Sequence, residues 1–342
     1  MSNEGVREKS FTPFFRRPSL LVTCLSRHNG HMSEQKTSEQ QPIVLGLWPI
    51  AGVTTLGVTQ AEAQATIATA IDLGITAFDT AFSYGYDGES DKILKPFLAH
   101  DRDRFVVIGK VGQRWTPKRE RVVDGSAKTL TADAELSLRR LGIDSFDVLM
   151  LHSPDPQIAI ETSAEAIVAL QRRGLCQRTG VSNVTPSQFA QFASVARGAA
   201  IECPLNLLQQ DSLAELIPES HSEGGDVYVF WTLMKGLLAG KITREHTFAP
   251  GDSRANYPVF QGAARQRAHA IVDRLETLGK QVKRTVAQLA IGWAVSQPGV
   301  TAALVGARRP EQIRETCAAT RLPAEIAAQI NEIVATADSQ KG

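Results

Sequence analysis

Apolar residues in this chain gather into short, almost continuous runs, separated by longer stretches in which they recur every three or four positions. The runs are IVLGLW (43–48), ITAFD (75–79), FVVIGKV (105–111), FDVLMLH (146–152), RTGVSN (178–183), AIECPLN (200–206), DVYVFW (226–231) and VTAALVG (300–306). All eight read as strands, and FVVIGKV, apolar with little interruption and no alternation, is of the kind a parallel sheet buries on both faces. Helix signals fall between them. Thr59 and Glu62 make a capping box for a helix ending at Gly74, and a helix follows Gly88. A third covers 131–141, stopped by Gly142. Thr162 and Glu165 read as another capping box, opening a helix closed by Gly174, and Thr185, Pro186 and Gln188 start the next. Residues 212–220 and 309–319 read as helical, Val286, Leu289, Ala290 and Trp293 share one helix face, and 323–338 use Ile326, Ile330, Ile333 and Val334. Residues 240–266, containing PGDSRANYP, read as irregular, and a loop that long is uncommon without a function.

Eight strands alternating with helices predict an α/β fold, a (β/α)8 TIM barrel in one domain spanning residues 41–342. The competing doubly wound sheet would carry a GxGxxG turn between a strand and a helix, and the sequence has none. Residues 1–40 differ in kind. They hold several arginines, one short apolar run (20–25), and Glu4 and Glu8, which fit neither a signal peptide nor a transit sequence. They read as a disordered extension of the kind a start codon placed too early would add, with Met32 a natural beginning.

Composition narrows the partners. The chain has 342 residues, 43% hydrophobic and 21% charged, with formal net charge +1, which gives no reason to expect nucleic acid or an anionic membrane. No run reaches the roughly 18 apolar residues of a membrane span. Cys24, Cys176, Cys203 and Cys317 are scattered, so reduced thiols and a cytoplasmic location are expected, with no metal site. Nothing in the sequence bears on oligomeric state.

The chemistry concentrates in FDTAFSYGYDGESD (78–91). Asp79 ends the second strand and Tyr84 stands on the loop beyond it, while Lys110 ends the third strand and His152 the fourth. In a barrel these strand ends share the catalytic face. Each residue alone has a plainer reading, as a turn cap, a structural ion pair, packing or a brace for the SPDP turn. Together they describe a tuned proton donor: a lysine beside a tyrosine favours phenolate and lowers its pKa from about 10, while a carboxylate keeps that lysine charged.

With FDTAFSYG, VIGKVG, LMLHS and GVSN in this order, the chain resembles the aldo-keto reductase superfamily from about Ile43 through the eighth barrel helix. The resemblance implies NAD(P)H-dependent reduction of a small-molecule carbonyl substrate, with Asp79, Tyr84, Lys110 and His152 as the catalytic tetrad. NADP(H) is the implied cofactor, with NAD(H) use open. Ser182 and Asn183 correspond to the pair that holds the carboxamide. Glu202 stands where the family usually has glutamine, and Trp231 where a tyrosine commonly stacks on the nicotinamide. LMKGLLAGK, with Leu233 and Lys235, resembles the pyrophosphate loop. The stretch from Gly306 places the adenosine 2′-phosphate near Arg308 and Gln312, with Glu315 and Thr316 on the ribose-adenine side. Gln312 and Thr316 depart from the usual arginine and asparagine. Trp48, Tyr86 and Trp115 are the expected rim of the substrate pocket. Two alternatives stand beside the reductase: a nicotinamide-nucleotide-binding regulatory subunit with little turnover, and a lyase or isomerase using Lys110 as a Schiff-base amine.

Overall fold

The computed structural model describes residues 42–53, 57–250 and 252–339, so the expected extension lies outside the described residues. Eight parallel strands close into a barrel: β1 (Ile43–Gly46), β2 (Ala77–Asp79), β3 (Val106–Val111), β6 (Phe146–Leu151), β7 (Cys176–Ser182), β8 (Ala200–Pro204), β9 (Val227–Phe230) and β10 (Ala302–Gly306). Closure runs through β1, which pairs Ile43 with Ala303 of β10 on one side and Leu45 with Phe78 of β2 on the other. The predicted barrel is therefore the observed one. Because all eight strands run the same way, Asp79, Lys110, Ser182 and Gly306 arrive at one rim.

The helices are α1 (Gln60–Asp72), α2 (Glu89–Leu98), α3 (Ala127–Leu141), α4 (Ile160–Arg172), α5 (Pro186–Val195), α6 (Leu216–Ser222), α7 (Gly262–Val282), α8 (Val286–Val295), α9 (Pro310–Thr316) and α10 (Ala324–Ser339). They cover the barrel's outside, where Ile67, Leu94, Leu138, Ile167, Phe189 and Trp293 are buried in one continuous core. Each such side chain contributes about 1.5–3 kcal/mol on burial, so the apolar stripe of each helix decides which face turns inward. Reciprocal capping boxes at Thr59–Glu62, Thr185–Gln188 and Thr285–Gln288 satisfy first-turn N–H groups, each worth about 1 kcal/mol. No helix among the described residues is long and apolar enough to cross a membrane.

Four local expectations are corrected, and one element is new. The strand expected over 43–48 stops at Gly46, and Trp48 opens a single 3-10 turn, Trp48–Ile50. α3 starts at Ala127, capped by the Ser126 hydroxyl accepting from the Thr129 N–H, four residues before the expected start. Thr162 and Glu165 form no capping box, because burial of Ile160 draws the start of α4 back to that residue and leaves Thr162 inside its first turn. The irregular segment ends at Gln261, since residues 262–266 already belong to α7. An antiparallel hairpin, β4 (Gln113–Trp115) and β5 (Arg121–Val123), stands beyond β3 and was not anticipated.

Candidate active site

Two backbone features seat the Tyr84 loop. Thr80, just past β2, donates its hydroxyl to Asp91 at 2.6 Å and lies 2.7 Å from the Ser90 hydroxyl, tying the strand end to the first turn of α2. Ser137 of α3 also donates to Asp91. Burial, opposed by these hydroxyls, pushes the Asp91 carboxyl up to about 6. The loop itself turns at Gly85, whose φ of +100° and 2.7 Å approach of a built Cβ to the Glu89 nitrogen leave room for no side chain. Tyr84 is thereby held over the barrel mouth.

The four expected groups do converge. Asp79 and Lys110 are 1% and 2% exposed and form an ion pair. The Tyr84 hydroxyl donates to Asp79 Oδ2 at 3.3 Å, and the Lys110 ammonium lies 5.0 Å from the Tyr84 ring centre. The His152 ring meets the Tyr84 ring edge-on at 5.9 Å, with the Ser83 hydroxyl 3.5 Å from its Nδ1. Burial, then the positive charges of Lys110 and Arg121, hold His152 well below the usual histidine range, so the ring is neutral.

Glu202 is the residue whose place differs most from expectation. It is 2% exposed, and its carboxylate accepts from Lys110 at 3.0 Å. Lys110 is therefore clamped between two carboxylates. Burial alone would discharge it; Asp79 and Glu202 more than reverse that and hold its pKa above the ordinary lysine value. The count is two acids against one ammonium in a dry place. Burial and the Asp79 charge accordingly push Glu202 up to about 8.

Burial also overturns the expected tuning of Tyr84. Its pKa is raised rather than lowered: burial comes first, then the Asp79 charge, and the Lys110 charge only partly offsets them. The phenol is thereby held protonated. Glu202, on β8 across from Ser182 of β7, adds a smaller push in the same direction.

Around this floor the expected cofactor residues occupy a continuous arc. Ser182 is buried at the end of β7; Asn183 follows at φ +58°, its amide donating at 3.0 Å to the His152 carbonyl oxygen and to Ser182 Oγ. Trp231 follows β9 directly, with 38% of its surface exposed. Positive φ at Trp231, Met234, Lys235 and Gly236 folds residues 231–236 into a tight knot, closed by the Leu238 N–H donating to the Leu233 carbonyl at 3.0 Å. The Lys235 ammonium lies 4.2 Å from the Trp231 ring centre and 4.3 Å from that of Tyr257. One face of Trp231 is thus already covered.

Gly306 ends β10, and Arg308 and Arg309 beyond it are both exposed. Gln312 accepts from the Arg308 N–H at 2.8 Å, and Glu315 pairs with Lys241. The Thr316 hydroxyl donates to the Gln312 carbonyl at 3.0 Å. These groups lie on the β10–β1 side, apart from the four catalytic candidates. At the rim, Trp48 packs edge-on against Tyr84 at 5.2 Å, and Tyr86 against Trp115 at the same distance. The Trp115 indole N–H donates to the Ser83 carbonyl at 2.8 Å. Sequence reasoning missed Arg119 and Arg121 here; the clue was Arg114, Trp115 and Arg121, Val122 flanking a proline-containing turn.

The family model described as the aldo/keto reductase family matches residues 42–335. The Bacillus subtilis aldo-keto reductase YhdN is 32% identical, over 80% of this chain and 83% of its own. The NADH-specific methylglyoxal reductase of Escherichia coli is 29% identical, over 81% and 89%. The structure of the glycerol dehydrogenase AKR11B4 from Gluconobacter oxydans superposes with a TM-score of 0.80 at 31% identity, over 86% of this chain and 91% of that one. The chain belongs to the aldo/keto reductase family and is an oxidoreductase of the kind that uses a nicotinamide cofactor on small carbonyl substrates.

Proposed function

We propose that this chain reduces an aldehyde or ketone to the alcohol at the expense of NADPH, with Tyr84 as proton donor. The observation that carries the reading is the convergence of Tyr84, Asp79, Lys110 and His152 at one rim, with the phenol hydroxyl 3.3 Å from Asp79. The donor set around them fits a nicotinamide nucleotide. Ser182 and Asn183 offer a hydroxyl and an amide for its carboxamide, and Trp231 a flat ring. The knot at 231–236, containing Leu233 and Lys235, offers backbone N–H groups for the diphosphate, and Arg308 and Arg309 offer guanidiniums for a 2′-phosphate. Gly306, Gln312, Glu315 and Thr316 border that end. The bound cofactor supplies a hydride to the carbonyl carbon.

The chain's own residues supply the rest. Tyr84 gives its phenolic proton to the carbonyl oxygen, and the phenolate charge left behind faces the Lys110 ammonium. The Ser83 hydroxyl lies against Nδ1 of the neutral His152, which leaves Nε2 to hold the same oxygen in an oxyanion-hole role. Glu202, bonded to Lys110, is the less ready partner for a carboxamide. The preference for NADPH rests on the exposed Arg308 and Arg309.

The test mixes purified protein, an activated aromatic aldehyde and either NADPH or NADH, and follows loss of the reduced nicotinamide's near-ultraviolet absorbance. Tyr84→Phe should lower turnover by roughly 100-fold or more while still binding NADPH. Full activity in that variant would sink the assignment. Tight NADPH binding without turnover of any carbonyl by the wild-type protein would favour a regulatory subunit.

A further inference from the structure

Arg121 stands in an unusual place for a cation. It ends the turn of the β4–β5 hairpin opposite Trp115, its cross-strand partner. Its guanidinium carbon lies 4.9 Å from the Trp115 ring centre and 5.2 Å from that of Trp48. Both indoles are themselves fixed, Trp115 through Ser83 and Trp48 against Tyr84. A parallel contact flanks it: Arg119, at φ +63°, sits 4.5 Å over the Tyr86 ring, which packs on Trp115.

What Arg121 lacks is a counter-charge. Arg102, Arg114, Arg140 and Arg178 each pair with an aspartate. Among the described residues, no side-chain carboxylate and no carbonyl oxygen accepts from the Arg121 guanidinium. Partial burial lowers its pKa, and its field reaches Tyr84 and His152, so it faces the reaction chamber rather than bulk solvent alone. A planar guanidinium resting over two aromatic rings keeps its edge, with the forked N–H donors, open for a carboxylate or phosphate.

We propose that Arg121 reads an anionic group on the substrate, so that the preferred substrates are small aldehydes or ketones bearing a carboxylate or phosphate a few bonds from the carbonyl. The inference rests on the reductase reading, since it is the carbonyl that must reach Tyr84 and His152. Trp48 and Trp115 flank the chain between the two ends, and Arg121 fixes which way round the substrate enters.

The experiment compares aldehydes with and without the anionic group. Succinic semialdehyde is measured against butanal for a carboxylate, and glycolaldehyde phosphate against glycolaldehyde for a phosphate, in wild type, Arg121→Gln and Arg121→Lys. In at least one pair the wild-type kcat/KM should favour the anion. Arg121→Gln should cut that ratio by roughly 10- to 100-fold, mostly through KM, as expected for loss of charge-assisted hydrogen bonds. Arg121→Lys should recover part of it. The pair that responds tells carboxylate from phosphate. Both members of each pair changing equally, or a loss confined to cofactor affinity, would overturn the proposal.

A second readout needs no turnover. Succinate and inorganic phosphate are titrated against the fluorescence of the intact protein, since Trp48 and Trp115 report on an anion between them. A saturable change lost in Arg121→Gln supports the site, and no saturable change in wild type refutes it. If no aldehyde is reduced at all, the reductase reading fails and the titration decides this one alone.

Discussion

The floor of the barrel mouth and the end of β10 are both charged, yet they are built on opposite plans. At the floor, Asp79, Lys110 and Glu202 are almost fully buried and satisfy one another. Past β10, Arg308 and Arg309 stand exposed, and Arg309 finds a carboxylate only at 4.0 Å, on Glu62. Charge in the first place is locked within the protein and can shape a proton donor; in the second it is left for something that arrives. A buried charge costs several kcal/mol to desolvate unless it is paired, whereas a surface pair is worth at most about 1 kcal/mol. The two regions should therefore respond differently to loss of a cation.

Removing Lys110 should break the comparison most severely. Lys110→Met leaves two buried carboxylates with no counter-charge, and the expected cost is about 3–5 kcal/mol, read by chemical denaturation, together with loss of carbonyl reduction. Stability within about 0.5 kcal/mol of wild type would mean that the floor is wetter than its burial indicates. At the other end, Arg308→Ala should leave stability alone and weaken NADPH by roughly tenfold, with NADH little changed. Equal weakening of both nucleotides would refute a 2′-phosphate contact at Arg308. A smaller effect is expected at Trp231, whose substitution by phenylalanine keeps a flat ring while shortening the stack with Lys235. Its Kd for either nucleotide should rise by no more than about threefold, since an aromatic contact of this kind is worth about 0.5–1.5 kcal/mol.

The contrast between the two regions also marks what the sequence made legible. Strands such as 105–111 and 146–152 were readable because burial on both faces leaves an unbroken apolar run. Asp79, Lys110 and His152 stood out because a polar group at the end of such a run has few structural reasons to be there. The clamp on Lys110 was hidden, since Glu202 lies 92 positions away and only barrel closure brings it to Lys110. The β4–β5 hairpin was hidden for another reason. Its strands are three residues each, half-exposed and rich in arginine, so alternation has no length over which to appear. Thr162 misled because a capping box is a local signal, and the buried Ile160 outweighed it.

The finest difference between the regions is a proton. The floor should titrate between neutrality and mild alkali. Glu202 carries a folded-state pKa of about 8 against an ordinary value of 4.5. Between those values the folded chain binds a proton that the unfolded chain has released, so stability falls as pH rises through this range. Its slope can reach about 1.4 kcal/mol per pH unit. His152 acts in the opposite sense: its depressed pKa takes stability away only as pH falls below the ordinary histidine value of 6.5. Above that value the two effects separate. The midpoint of thermal unfolding should therefore decline from neutral pH towards pH of about 8 in the wild-type protein. Glu202→Gln, which keeps the shape and cannot ionise, should flatten that decline while leaving the acid limb in place. An unchanged slope in the variant would show that the surplus proton resides on Asp79, and the pairing of Lys110 would then have to be read with Glu202 as the ionised partner.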